Sequence, residues 1–321
     1  MDFPDVKVVP FARKGKILNK ADFGCLKGIP AVNVASGCLF RCAYCYARGY
    51  SQAPPDGEVR FYANLPELLE RELPRKREIP SWAAINTASD CFQPHPEILD
   101  VTYRTMEILL GWGIGVSFLT KGEVPKRFID LFRMHPGKVL ANIGLISASP
   151  LYCREYERYA APPETRLRSI AALAHAGIVP EVRMDPMIPF LTDRDSELAH
   201  TFGAVRGAGV ERATLSYIHL RPPIAEQLKR EISPVQWKLV ESCFHSRDWD
   251  TLGFSSWTKI LPRALREKGY ARARKVAADF GVSAAVCQCK NPDMVADLCG
   301  SGRVRPAESS KGRDQLSLFR C

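Results

Sequence analysis

The segment SGCLFRCAYCYARGY (36–50) sets Cys38, Cys42 and Cys45 in a C-x3-C-x2-C spacing. Thiolates are the standard ligands of iron–sulfur clusters, and three cysteines this close let one loop wrap one cluster. Three thiolates on a 4Fe–4S cube leave one iron with an open position, the feature that separates a reactive metal centre from a structural one. Two other readings use the same residues. Spacings of four and three also place three cysteines on one face of a helix, packed as small buried hydrophobes. Gly37, Arg41, Tyr44 and Tyr46 are a poor match to such a core helix. Zinc is the other competitor, but the loop offers no obvious nearby fourth ligand.

A reactive loop needs a frame that holds it. From about residue 31 to 220, apolar runs alternate with amphipathic stretches. Strands are expected at 82–89, 114–120, 139–147, 179–188 and 213–220, with helices at 98–113, 124–135, 164–177 and 195–209. This alternation implies parallel βαβ units. The expected class is α/β, a partial (β/α)6-type barrel whose active site lies at the C-terminal strand ends. Residues 1–30 read as an N-terminal extension, 31–224 as the barrel and 225–300 as a mainly helical C-terminal extension. Residues 301–321, rich in Gly, Ser, Pro and charge, read as a disordered tail.

The string GCLFRCAYCYAR resembles the radical S-adenosylmethionine (AdoMet) superfamily, and within it the spore photoproduct lyase branch. TASDCFQPHPEI (87–98), SFLTKG (117–122) and RMDPMIPFLTD (183–193) follow in the order found there, so the resemblance covers roughly residues 30–290. It implies a 4Fe–4S cluster on Cys38, Cys42 and Cys45. The open iron would chelate the amino and carboxylate groups of AdoMet, and one electron would cleave the cofactor to a 5′-deoxyadenosyl radical. It also implies an electron donor such as flavodoxin or ferredoxin. In photoproduct lyases a cysteine about fifty residues beyond the loop gives a hydrogen atom to the product radical. Cys91 resembles it in placement, and the bland alternative is a buried core thiol.

Other residues at the expected strand ends are candidates for cofactor contact. Lys121 and Arg183 can reach the AdoMet carboxylate or ribose, while Ser89, Asp90 and Ser147 can supply polar contacts. Of the two tyrosines flanking the third cysteine, Tyr44 is taken as a cofactor contact; one of the pair is expected to pack on AdoMet and the other on the core. Cys287, Cys289 and Cys299 gather in VCQCKNPDMVADLC (286–299) as a possible second metal site, with Cys321, Cys153 or Cys243 as a fourth ligand.

The chain carries 45 Lys and Arg against 35 Asp and Glu, net charge +10, which favours a polyanionic partner such as nucleic acid. Lys259, Arg263, Arg266, Lys268, Arg272, Arg274 and Lys275 suit either phosphate contacts or a solvated helix face, and Tyr50, Tyr217, Trp237 and Trp257 are candidates for stacking on a flipped base, with core packing as the default for each. QLSLF (315–319) resembles the bacterial sliding-clamp binding pentapeptide, with Gln315, Leu316, Leu318 and Phe319 as anchors projecting from a flexible tether. No apolar run approaches the ~18 residues that span a bilayer, and the N-terminus lacks an apolar signal core, so a cytoplasmic location is expected. Eleven cysteines in such a protein read as metal ligands, catalytic thiols or buried residues rather than a disulfide framework. The leading expectation is a lyase that repairs a thymine-dimer-type DNA lesion. The alternatives are a radical AdoMet enzyme modifying tRNA or protein, and a non-catalytic, clamp-associated Fe–S protein that binds DNA.

Overall fold

In the computed structural model, residues 6–21, 24–245, 248–251 and 257–297 are described. The chain opens with β1 (Lys7–Phe11), β2 (Ala31–Val32), β3 (Ala35–Ser36) and β4 (Glu58–Tyr62), then α1 (Leu65–Glu72) and β5 (Trp82–Ile85). The regular alternation follows: α2 (Pro96–Gly111), β6 (Gly115–Thr120), α3 (Lys126–Arg133), β7 (Val139–Gly144), α4 (Pro150–Tyr156), α5 (Pro163–His175), β8 (Glu181–Met187), α6 (Asp195–Gly207) and β9 (Arg212–Tyr217). The remainder is α7 (Pro222–Glu231), α8 (Pro234–Ser242), α9 (Arg263–Asp279) and β10 (Ser283–Val286).

Seven strands form one sheet in the order β10-β9-β8-β7-β6-β5-β2, and every pairing in it is parallel. Parallel strands are covered on both faces, so they read as near-continuous apolar runs. In β6 every residue but Leu119 is buried. The helices follow the same logic. α2 starts on a proline, where the missing N–H costs nothing. It buries Ile98, Val101, Thr102, Thr105, Met106 and Leu109 at helical spacing, and stops before Gly113 at φ 72°. Phe92 meets Phe118 and Phe128 edge-on at 5.1 and 4.9 Å, filling the space between β6 and α3.

The α/β partial barrel is as expected, with differences at its two edges. β2 has two residues, too few for any periodicity, yet Ala31 and Val32 pair in register with Ala84 and Ile85. The segment 283–286, read as part of a helical stretch, is instead β10, which extends the sheet by pairing with Arg212–Leu215 of β9. Its sequence SAAV carries little strand signal of its own, and the free edge of β9 overrides it. The first thirty residues also supply β1 to a small sheet of order β1-β4-β3, in which Ala35 and Ser36 run antiparallel to Phe61 and Arg60. That sheet delivers the chain directly into the cysteine loop. Among the described residues no helix is long and apolar enough to cross a membrane.

Candidate active site

The loop of Cys38, Cys42 and Cys45 lies at the rim where the parallel strands end, held from four directions. At its entry Gly37 has φ 80°, and a Cβ there would stand 2.7 Å from the Glu58 carbonyl oxygen and 2.8 Å from Pro54. The Leu39 N–H donates to Oε1 of buried Gln93 at 2.7 Å, and the Gln93 amide donates to the Asp90 carbonyl at 2.9 Å. From α7, Gln227 Nε2 donates to the Ala43 carbonyl at 2.7 Å and the Cys42 carbonyl at 3.3 Å. From below, the Tyr44 hydroxyl donates to Glu157. Glu157 in turn pairs with Arg166 at 2.6 Å, both side chains being 1% exposed.

Gly37→Ala tests the first anchor. Left-handed backbone costs an alanine roughly 1–2 kcal/mol, and at Gly37 the methyl also strikes Glu58 and Pro54. Gly137, at φ 73° with nothing within 4 Å of an added Cβ, bears the backbone cost alone. We expect Gly37→Ala to fall well below stoichiometric iron and sulfide after reconstitution, and Gly137→Ala to match wild type in the same assay.

The three thiols lie within electrostatic reach of one another. Burial pushes Cys38 and Cys42 well above the ordinary thiol range, with further upward pushes from Cys45 on both and from Cys38 on Cys42. Lys121 pulls Cys42 the other way. Such a group holds its protons until a cation compensates the sulfur charge. A cluster of cationic irons does this, and a donor set of three soft sulfurs on one loop fits it. A cavity of about 300 Å³ opens against Cys38 and Cys45.

The remaining sequence candidates separate into supports and site residues. Tyr44 is buried with its hydroxyl spent on Glu157, so it props the loop, and Tyr46 is the exposed member of the pair. Asp90 accepts from the Thr120 hydroxyl at 2.7 Å and from the backbone N–H groups of Lys121 and Phe92, locking the end of β5 to the end of β6. Ser89 donates to the Ala35 carbonyl at 3.1 Å, and Ser147 donates to Glu197. Cys91 is 0% exposed in the core, next to Asp90 and within electrostatic reach of Cys38. Lys121 crosses toward Gly144, where a Cβ would meet its Cγ at 2.9 Å, and stands 5.5 Å from the Tyr44 ring centroid. Arg183 pairs with Asp185 at 3.2 Å.

Asp185, His219, Arg221 and Lys290 were not singled out from sequence. A register shift in β8 between Met184 and Met187 turns the strand at Asp185. Burial would raise this carboxyl, but Lys290, Arg183, Lys121 and His219 outweigh it and hold it below the usual range. Burial, then Lys290, drives His219 down to about 3 against the pull of Asp185. A histidine lowered from its unfolded value of about 6.5 is neutral in the fold and charges on unfolding. Its contribution to stability is therefore present above about pH 6.5 and is lost as pH falls toward 3. His219→Asn should flatten the drop in melting temperature between those values, measured by circular dichroism.

The basic stretch of α9 is largely engaged within the protein. Arg266 is a buried pillar, 1% exposed, bonded to the Leu261 carbonyl, Asn291 and Asp293. Arg263, Arg272 and Arg274 pair with Glu267, Asp195 and Asp297, and the Lys259 ammonium lies over the Trp249 ring. Five of the seven basic residues in this stretch are thus held by groups of the protein itself. Tyr217 is likewise core, donating to Asp193 at 2.7 Å. Cys287 and Cys289 come together at Sγ–Sγ 3.0 Å, joined by Cys25 rather than by Cys153 or Cys243. The sulfur of Cys153 is held by Arg166 and that of Cys243 by the Leu239 carbonyl. Cys299, Cys321 and the anchors Gln315, Leu316, Leu318 and Phe319 lie outside the described residues.

A parallel α/β sheet with a three-cysteine loop at its C-terminal rim defines a radical AdoMet enzyme. Residues 32–202, more than half of the chain, match the family model of the Radical SAM superfamily, and the chain belongs to that family. Its cofactors are accordingly a 4Fe–4S cluster and AdoMet. An uncharacterized protein of Mycobacterium bovis is 30% identical over 203 residues, covering 59% of this chain and 58% of its own length. A radical SAM Nalpha-GlyT isomerase of Pseudomonas phage M6 is 21% identical over 289 residues, 88% of this chain and 57% of its own. The chain thus spans less than two thirds of the curated relatives it matches. Spore photoproduct lyase, solved with AdoMet and dinucleoside spore photoproduct bound, superposes with TM-score 0.68 at 15% identity, over 86% of this chain and 81% of that one.

Proposed function

We propose that this radical AdoMet enzyme acts on damaged DNA, fragmenting a thymine-dimer-type lesion in the manner of a spore photoproduct lyase. The observation that carries this reading is an aromatic pair beside the cluster loop. Tyr46 and Tyr50, 41% and 42% exposed, meet edge-on at 5.7 Å just after Cys45. Arg183 and Arg221 lie within electrostatic reach of Tyr46, Arg221 and Lys290 within reach of Tyr50, and the Lys290 ammonium stands 5.4 Å from the Tyr46 ring centroid. Asp185 also lies within reach of Tyr46, but cations outnumber it, and exposed rings among cations suit an extruded base and its phosphates. The net charge of +10 and the likeness to spore photoproduct lyase support the same substrate class.

When bound, the cluster and AdoMet supply a one-electron cleavage that yields a 5′-deoxyadenosyl radical, and the protein contributes positioning. Lys121 and Arg183 would hold the cofactor through its carboxylate and ribose, and Tyr46 and Tyr50 would stack the base. Cys91, buried behind the loop in this structure, would give a hydrogen atom to the product radical once substrate binding uncovers its thiol, its weak S–H bond breaking to leave a thiyl that the external reductant restores with an electron and a proton. That reductant is a flavodoxin or ferredoxin, the setting is cytoplasmic, and QLSLF (315–319) recruits the enzyme to the sliding clamp.

A second reading, isomerisation in place of fragmentation, is supported by the phage relative, whose alignment covers 88% of this chain. The test offers reduced, reconstituted enzyme and AdoMet a panel of damaged DNAs and unmodified tRNA. Digested products are resolved by chromatography and mass, with Cys91→Ala in parallel. Free thymidine released from a cross-linked dithymine supports the lyase, and Cys91→Ala should then give adducts in its place. Turnover of AdoMet with every damaged DNA unchanged would defeat the reading.

A further inference from the structure

Three of the cysteines away from the loop, Cys25, Cys287 and Cys289, form a compact group that brings together distant parts of the chain. Cys289 Sγ is 3.0 Å from Cys287 Sγ and 3.6 Å from Cys25 Sγ, across 264 residues of sequence. We propose that Cys25, Cys287 and Cys289 bind a second thiophilic metal centre, separate from the AdoMet cluster and independent of which substrate the enzyme takes. As thiols the sulfurs can share S–H···S contacts at these distances, and as thiolates they would repel unless a cation sat among them. Sulfurs bound tetrahedrally to one ion at about 2.3 Å stand roughly 3.8 Å apart, close to the 3.6 Å of Cys25–Cys289 and longer than the 3.0 Å of Cys287–Cys289. As they stand, no three such side chains among the described residues close around a single ion position. Loading therefore opens the Cys287–Cys289 pair by less than an ångström and adds a fourth ligand.

The surroundings are built for ligation. Cys25 sits on a 3-10 turn, Gly24–Leu26, and Cys289 on another, Gln288–Lys290. The first turn lies so close to the second that a Cβ on Gly24, at φ 48°, would stand 3.2 Å from the Cys289 Cβ. The C-x-C turn is fixed by its own side chains. Gln288 donates to the carbonyls of Asn291 and Met294, and Asn291 donates to that of Cys287. Held ligands of this kind raise metal affinity. The Arg183 guanidinium, 3.8 Å from Cys287 Sγ, adds positive charge that favours the thiolate. The centre would clip the N-terminal segment to β10 and fix Lys290, the residue after Cys289, over Tyr46.

The test uses the full chain with Cys38→Ala, Cys42→Ala and Cys45→Ala combined, purified anaerobically and assayed for zinc, iron and acid-labile sulfide. We expect about one equivalent of zinc, or iron with matching sulfide, with the metal found identifying the centre, and its loss on adding Cys289→Ser. Otherwise intact enzyme, whose fold is not at issue, is alkylated and mapped by mass. Cys25 and Cys289, the partly exposed members of the trio, should react only after a chelator is added, while buried Cys243 is unaffected by it. No retained metal, with equal alkylation of Cys25 and Cys289 with and without chelator, would overturn the proposal.

Discussion

Replacing Cys38, Cys42 or Cys45 singly with alanine is expected to bring 5′-deoxyadenosine formation below detection and to remove the visible absorbance of the cluster. A cluster bound by three thiolates has no spare ligand, and the open iron that takes AdoMet exists only because the other three are held. Cys91→Ala, one step behind the loop, should keep full iron and sulfide, because Cys91 packs in the core and not among the ligands. The loop also makes a prediction about pH. Burial holds Cys38 and Cys42 protonated well above the ordinary thiol range, so cluster assembly must expel those protons. Metal binding that releases protons strengthens as pH rises. Reconstitution yield should therefore climb between about pH 7 and 8.5, monitored by iron per chain.

Arg166→Met is expected to be the most destabilising single change outside the loop. Its guanidinium is the buried partner of Glu157 and also donates to the carbonyls of Ala161 and Gly144, each at 2.7 Å. Removing one member of a buried pair leaves the other charge uncompensated, at a cost of roughly 3–5 kcal/mol. For a chain of this size that is of order 5–10 °C in melting temperature. Glu157 also receives the Tyr44 hydroxyl, so the damage reaches the cluster loop, and iron retention should fall with stability. Arg166→Met combined with Glu157→Leu should cost clearly less than the two singles summed, since the orphaned charge is gone. A strictly additive double variant would show that the pair does not act as a unit.

The βα alternation was readable because buried parallel strands and glycine-stopped helices leave strong local periodicity, as in GVSFLT and in the helix ending before Gly113. The cysteine loop was readable because its chemistry lies within eight residues. What escaped shares one physical cause: contacts set by the tertiary fold. Ala31–Val32 and Ser283–Val286 become strands only because a sheet edge is available beside each. Glu157 and Arg166 look like ordinary surface charges until Tyr44 is brought onto them from 113 residues away. Cys25 stands alone in sequence and meets Cys289 only when the two ends of the chain converge. Conversely, the basic run in α9 advertised a phosphate-binding face, but nearby Glu267, Asp195, Asp293 and Asp297 absorb four of its arginines.

The proposed lyase activity requires the 5′-deoxyadenosyl radical to remove a hydrogen atom from a DNA base lesion. A lesion-bearing oligonucleotide deuterated throughout its thymines, incubated with reduced enzyme and AdoMet, tests this directly through the mass of 5′-deoxyadenosine. Deuterium is expected in that product when the lesion is present and none with undamaged deuterated DNA. 5′-Deoxyadenosine that forms with the lesion present yet carries no deuterium would contradict it.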